Sequence, residues 1–348
     1  MTKFSNAENL RMPAEWEKQK STWIAWPHND KDWPNKFDLI PEIFAQIIFH
    51  ISKDQVVNIL VENNILKKRA ILILRSFKVN FSNIKFKFCK TDRVWLRDSF
   101  PIFVKNNQNE KILINWKFNA WAKYNNFKKD NSIINKIKKI LNLRVISPRL
   151  YKKKVVLEGG AIDVNGKGAL ITTEECLLSK VQQRNPGLKK KDYEKIFLNY
   201  LGAKKIIWLK KGILGDDTHG HIDDLARFVS ENKIFLAYES NKKDLNYKTL
   251  RNNFKIIKKF NISKKLKVIK MPMPKAKYID GTRVPASYLN FYIANKVVLV
   301  PTYNDENDKL ALKIFKKHFK NRKIIPIDCS TLIWGLGAIH CMTQQEPR

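Results

Sequence analysis

The feature that most limits what this chain can fold into is a rhythm. Segments with apolar residues at three- and four-residue steps alternate with short aliphatic runs, and the cycle recurs about five times. The helical pattern falls in LIPEIFAQIIFHISK (39–53), NSIINKIKKILNL (131–143), KKDYEKIFLNYLG (190–202), LRNNFKIIKKF (250–260) and KLALKIFKKHFK (309–320). The strand pattern falls at 56–61, 111–118, 155–164, 205–209, 233–238, 296–301 and 323–327. No Gly/Ser-rich or Pro-rich linker interrupts the series, so the expectation is one domain over residues 1–348. Recurring units without strong sequence identity predict an α/β fold of repeated ββαβ units. A doubly wound α/β sheet is the alternative, but no Gly-rich phosphate loop supports a nucleotide site.

Charge narrows the function classes. Lys and Arg number 67 against 32 Asp and Glu, a formal net charge of +35. Such a balance is the electrostatic footprint of a polyanion partner when the lysines gather on one segment. Here they are scattered, and no helix-turn-helix, zinc-finger or RNA-recognition signature accompanies them. A solvated basic surface is therefore preferred to a specific nucleic-acid site. There is no apolar run of about 18 residues, so no membrane span is expected. The start, MTKFSNAENLRMPAEWEKQ, has no basic-then-apolar-then-small pattern of an export signal. The cysteines, Cys89, Cys176, Cys329 and Cys341, form no C-x-x-C pair, which argues against a disulfide framework or a zinc finger. The expected compartment is the cytoplasm.

Four stretches gather acids, histidine, glycine or cysteine beside apolar residues: DRVWLRDSFP (92–101), LEGGAIDV (157–164), DDTHGHIDDLARF (216–228) and GLGAIHC (335–341). Each is expected at a strand end or turn, where scaffolds place functional groups. A lone cysteine is most often a small buried hydrophobe, but Cys341 stands between GLG and TQQ, a turn and a polar run. His340 is adjacent. In an extended segment the two side chains would face opposite ways, so the base for a Cys341 thiol must come from elsewhere. HGHIDD offers His221 and Asp223, which would share a face on a strand, with His219 on that face as well. H-x-H-x-D is also a metal-binding pattern, though no third ligand is evident.

A +35 chain has nevertheless concentrated Asp92, Asp98, Glu158, Asp163, Asp216, Asp217, Asp223 and Asp224 in these stretches. Buried carboxylates repel one another unless a cation or proton joins them. A planar guanidinium suits paired carboxylates, since each accepts two parallel N–H donors. Thiol, histidine and carboxylates together suit attack of sulfur on a guanidinium carbon with loss of ammonia. Salt bridges to surface lysines remain the alternative for any single acid.

The chain resembles the agmatine deiminase family, within the guanidine-modifying superfamily that includes peptidylarginine deiminases. MPAEWEKQKSTWIAWPHN, VWLRDSFP, LEGGAIDVNGKGALITTEECLLS, RNPGL, DDTHGHIDDLARFV, PASYLNFYIANKVVLVPTYND and AIHCMTQQEP carry the resemblance, in order and almost end to end. It implies a five-bladed α/β propeller of pseudo-symmetric units around a central site. It implies Cys341 as nucleophile, His221 as acid then base, Glu158 orienting His221, and Asp98, Asp223 and Trp95 holding the substrate. No metal or organic cofactor is implied. The partner implied is a small cationic guanidine, agmatine, with no specific nucleic acid, no membrane, and at most further copies of the same chain. Deimination of free or peptidyl arginine is the alternative, and a basic nucleic-acid-binding protein on the same scaffold a remoter one. Two departures border the expected site: Ser99-Phe100-Pro101 where the family usually has Thr-Gly-Pro, and Gly335-Leu336-Gly337 where three glycines are common.

Overall fold

The computed structural model describes residues 9–260 and 266–348. The run VVNILV makes the strand Val56–Val61, and its last five residues are buried on both faces, as a central strand flanked by helices requires. Before it, IPEIFAQIIFHIS forms the helix Ile40–Ser52 with proline in its first turn, where a missing N–H costs nothing. Ile40, Phe44, Ile47, Ile48 and Ile51 form its buried stripe.

Five sheets share one construction. An antiparallel pair is followed, across a helix, by a strand parallel to its second member. Ile102–Lys105 pairs antiparallel with Lys111–Ile114, and Lys128–Leu141 leads to the parallel Arg144–Ile146. Asp163–Val164, Ala169–Thr173 and Lys205–Leu209 repeat this around Lys190–Leu201. Ala226–Ser230, Lys233–Tyr238 and Lys267–Pro272 repeat it around Tyr247–Lys259. Tyr292–Ile293, Val297–Thr302 and Lys323–Asp328 repeat it around Asp308–His318. The fifth sheet joins the chain ends: Thr343–Pro347 pairs antiparallel with Gln19–Ala25, which runs parallel to Val56–Val61 across the helix Ile40–Ser52. A further helix, Asn64–Ser76, adds Ile84–Phe88 to its edge.

The mixed α/β architecture and the repeated ββαβ unit are thus as expected, and the strands at 56–61, 205–209 and 233–238 have the expected bounds. Three readings are corrected. Residues 155–164 are not one strand: two glycines make a helical turn, Gly159–Ala161, and only Asp163–Val164 is paired. The strand expected at 111–118 ends at Ile114. The helix Asn64–Ser76 was not expected. Its run AILIL is continuously apolar, and Ile65 and Leu72 point to solvent, so no stripe marks it.

The main core runs from Trp23, Trp26 and Trp33 to the ring cluster of Phe235, Phe291 and Phe315, and it includes Cys341. A second cluster fills the space between the sheets at 102–146 and 163–209.

Candidate active site

Each sheet is entered through a turn, and each entry turn delivers a polar side chain to one place. Asp98 lies in the helical turn Leu96–Ser99 before Ile102–Lys105. Glu158 immediately precedes the turn Gly159–Ala161, before Asp163–Val164. His221 and Asp223 belong to the turn Ile222–Asp224 and its cap, before Ala226–Ser230. Asn290 precedes Tyr292–Ile293, and Cys341 precedes Thr343–Pro347. The turn Gly159–Ala161 touches both of the other helical turns.

His221 is the hub. Its Nδ1 is 3.8 Å from Asp98 Oδ2 and 3.9 Å from Asp223 Oδ1, and its Nε2 is 3.8 Å from Glu158 Oε2. Both ring nitrogens, Glu158 Oε2 and Asp223 Oδ1 are buried with no hydrogen-bond partner among the described residues. Cys341 Sγ lies 3.7 Å from the other Asp223 oxygen, Oδ2. Asn290 Nδ2 donates to Cys341 Sγ at 3.0 Å and to Asp224 Oδ1 at 2.9 Å. Asn290 Oδ1 accepts from the backbone N–H of His340 and of Cys341, so one amide fixes both the turn and the sulfur.

His221 and Asp223 face one another across a turn and not along a strand. His219 does not join them; its backbone is left-handed and its ring meets Ser179. Residues 339–342 form a turn, so the extended-segment argument about His340 does not hold. His340 still serves elsewhere. It is clamped between Asp223 Oδ2 at 2.8 Å and Glu15 Oε2 at 2.9 Å, and thereby orients the carboxylate that meets Cys341. Of the remaining acids, Asp163 pairs with Arg227, and Asp92 accepts from the first turn of the helix Lys128–Leu141. Asp216 binds the N–H groups of Thr218, Gly220 and His221 and shapes the loop that presents the histidine.

Trp121 carried no sequence signal, while Gly160, Arg184 and Glu15 lay in the quoted motifs without being singled out. Trp121 donates Nε1–H to Asp98 Oδ2 at 2.8 Å from a backbone held at φ 58°, a left-handed conformation uncommon for a bulky residue. Asp98 Oδ1 accepts from Gly160 N at 2.9 Å. A Cβ on Gly160 would stand 2.5 Å from His221 Nδ1 and 2.8 Å from Asp98 Oδ1, so no other residue fits there. Arg184, from RNPGL, donates Nε–H to Glu158 Oε1 at 3.1 Å and also binds the Thr218 carbonyl. Glu15, in MPAEWEKQ, gathers Arg97, Arg227 and His340 around one carboxylate.

A cavity of about 450 Å³ opens onto Asp98 and Cys341. Trp121, Leu336, Gly337, Asp32, Arg93 and Asp217 also line it. So does Trp95, which the resemblance implies holds the substrate. Gly337 packs against its indole, and a Cβ there would lie 2.9 Å from the ring. Leu336, at the position where the family often has glycine, adopts φ 62°.

The electrostatics follow from burial and crowding. Burial, then the Asp223 and Glu158 charges, push Asp98 up to about 6 against the pull of His221. Burial would depress His221, but Asp98, Cys176 and Glu158 overcome it and hold the imidazolium well above its ordinary range. Burial, then Asp223, Asp224 and Asp98, push the Cys341 thiol well up. Glu158 is held down to about 2: burial opposes its ionisation, and Arg184 and His221 outweigh it. Three acids thus surround one histidine, and the Cys341 thiol beside Asp223 stays protonated until positive charge arrives. The arrangement suits a planar cation whose N–H groups meet Asp98 and the free oxygen of Asp223, with its carbon before sulfur.

The sequence profile of a family described as Porphyromonas-type peptidyl-arginine deiminase matches residues 11–347. A Legionella pneumophila (strain Paris) protein that carries agmatine deiminase as a provisional name is 33% identical, over 97% of this chain and 95% of its own. The structure of Enterococcus faecalis agmatine deiminase is 31% identical with a TM-score of 0.87, covering 98% of this chain and 96% of that one. A cysteine-to-serine variant of C. jejuni agmatine deiminase, solved with substrate bound, is 29% identical with a TM-score of 0.86 over 97% and 96% of the two chains.

Proposed function

The chain belongs to the Porphyromonas-type peptidyl-arginine deiminase family, and from that premise we propose that it hydrolyses agmatine to N-carbamoylputrescine and ammonia, a step toward putrescine. The observation that carries this reading is the buried set of Asp98, Asp223 and Glu158 around His221, with Cys341 against Asp223. We propose too that the five sheets stand as blades around this set, since each contributes its entry turn.

Asp98 and Asp223 hold the guanidinium planar and present its carbon to Cys341, which supplies orientation. The incoming charge offsets the carboxylates that suppress thiolate formation, so the substrate assists its own attack, and Asn290 Nδ2 donates to the sulfur. Sulfur forms a bond to the guanidinium carbon as the thiol releases its proton to solvent, since His221 already carries its own. His221 protonates the departing nitrogen, the C–N bond breaks, and ammonia leaves an amidino-thioether on Cys341. Water then attacks the same carbon, His221 takes a proton from it, and the C–S bond breaks to return the thiol. Glu158 keeps His221 charged for the first half, and Trp95 bounds the plane of the bound group.

The cavity favours agmatine over arginine. Asp32, whose Oδ2 has no hydrogen-bond partner among the described residues, lines it as a counter-charge for the distal ammonium, while Asp217 is already taken by Lys123 and the Tyr124 hydroxyl. Of the cations in the cavity lining, Lys31 is exposed to solvent, and the buried Arg93 is committed: Nη1 donates to the Asn126 carbonyl and Nη2 to Asn126 Oδ1, both at 2.7 Å. A carboxylate there would be desolvated without a partner. Agmatine should therefore exceed arginine in kcat/KM by at least about tenfold, or about 1.4 kcal/mol. Pure protein given agmatine, arginine and an arginyl peptide, with ureido product and ammonia measured, tests the reading. Equal use of agmatine and arginine would favour an arginine deiminase.

A further inference from the structure

Cys176 is a buried thiol that the reaction above does not use. It sits in the short helix Glu174–Leu178, where its N–H donates to the Thr173 hydroxyl at 3.0 Å. Glu158, Cys176 and His221 each offer one ligand atom, and these atoms all lie within 4.8 Å of one another. The three residues are 0%, 1% and 1% exposed. Glu158 Oε2 and His221 Nε2, 3.8 Å apart, have no hydrogen-bond partner among the described residues. Arg184 occupies the other Glu158 oxygen, which leaves Oε2 directed at the histidine.

We propose that Glu158 Oε2, Cys176 Sγ and His221 Nε2 form a binding site for a thiophilic divalent cation of the zinc class, and that its occupancy silences the enzyme. Carboxylate, thiolate and imidazole are a zinc donor set. With bonds of about 2.0–2.3 Å, donors in a tetrahedral shell stand about 3.3–3.7 Å apart, so small side-chain movements close the site. The charge balance is neutral. The Cys176 thiol and the His221 Nε2–H each release a proton to solvent as one divalent ion enters. Two protons leave, two positive charges replace them, and the buried cluster keeps its net charge. Silencing rests on the reading that His221 protonates the leaving ammonia: with the metal on Nε2 the ring is no longer an imidazolium. The binding site itself does not depend on that reading. The ligands lie behind His221, away from the Asp98 side of the ring, so onset should be slow.

Cobalt(II) is the probe, because a thiolate ligand gives it an intense charge-transfer absorption. Titrated into the full-length protein, it should bind at one equivalent with that absorption. The Cys341→Ser variant should keep the signal, and Cys176→Ser and Cys176→Ala should each lose it. Zinc should inhibit agmatine turnover slowly and reversibly by a chelator, and either Cys176 variant should need at least tenfold more zinc for the same inhibition. No thiolate absorption in the wild-type protein would overturn the proposal. So would a signal lost in Cys341→Ser and kept in Cys176→Ser, which would put the metal on the nucleophile. A protein inactive on agmatine that still bound cobalt through Cys176 would separate failure of the functional reading from failure of the site.

Discussion

Asp98 is the acid on which pH should act. Burial and its neighbours' charges raise it to about 6, and only its ionised form grips a guanidinium. As pH falls through about 6 the carboxylate gains a proton, and kcat/KM should fall about tenfold per pH unit below that point. As pH rises, activity should persist past neutrality, because His221 is held protonated well above its usual range, and then decline. A pH profile of kcat/KM checks both limbs; an acid limb unmoved in an active Asp98→Asn variant would clear Asp98 of this role. Cys341→Ser should fold normally and lose on the order of 10⁴ or more in kcat, the scale seen when a nucleophile is removed. Cys89→Ser and Cys329→Ser, which the proposed reaction does not use, should keep most activity. Near-normal turnover in Cys341→Ser would reassign the nucleophile. The residues named from sequence, Cys341, His221, Glu158, Asp98 and Asp223, do converge, because unusual groups crowded beside apolar runs are visible in a sequence. Trp121 and Glu15 were not legible as site residues. A tryptophan between alanines and a glutamate among charged neighbours look like any others until distant strands bring them together.

At the level of elements, the strands and most helices were legible because their apolar residues obey a period. The entry turns were not. LEGGAIDV reads as a strand by composition, yet Gly160 serves close approach, with its missing Cβ making room for His221 and Asp98. Gly160→Ala should therefore cut kcat sharply and lower the unfolding midpoint, while leaving far-UV circular dichroism close to wild type. Unimpaired turnover would show that the turn yields and does not constrain the histidine. The chain ends meet through a different device. Glu15, ahead of the strand Gln19–Ala25, holds Arg97, Arg227 and His340 and accepts from Ile293 N at 2.8 Å. Removing one partner of a buried ion network strands the others. Glu15→Gln should cost about 3–5 kcal/mol in urea unfolding, with loss of activity as His340 releases Asp223. A cost below about 1 kcal/mol would mean that the network relaxes around the amide.

The whole molecule carries +35 while its site collects acids, and the two fields can be separated by salt. Agmatine carries two positive charges and should be repelled at long range and attracted at contact. At physiological ionic strength the Debye length is about 8 Å, so distant lysines are largely screened while the buried carboxylates are not. Raising salt from low to physiological levels should leave kcat/KM for agmatine unchanged or modestly higher. The same step should release any nucleic acid bound at low salt, through competition from counterions. Tight, sequence-selective nucleic-acid binding at physiological salt, without ureido product, would instead make the basic surface the function. The central claim is that Cys341 carries the guanidine carbon between two half-reactions. Its most direct test is acid quenching during agmatine turnover, followed by proteolysis and mass spectrometry of each cysteine peptide. The account predicts the amidino-thioether adduct on the Cys341 peptide and on no other, rising before ureido product reaches its steady rate. Product formed with every Cys341 peptide unmodified throughout, or an adduct on another cysteine, would contradict it.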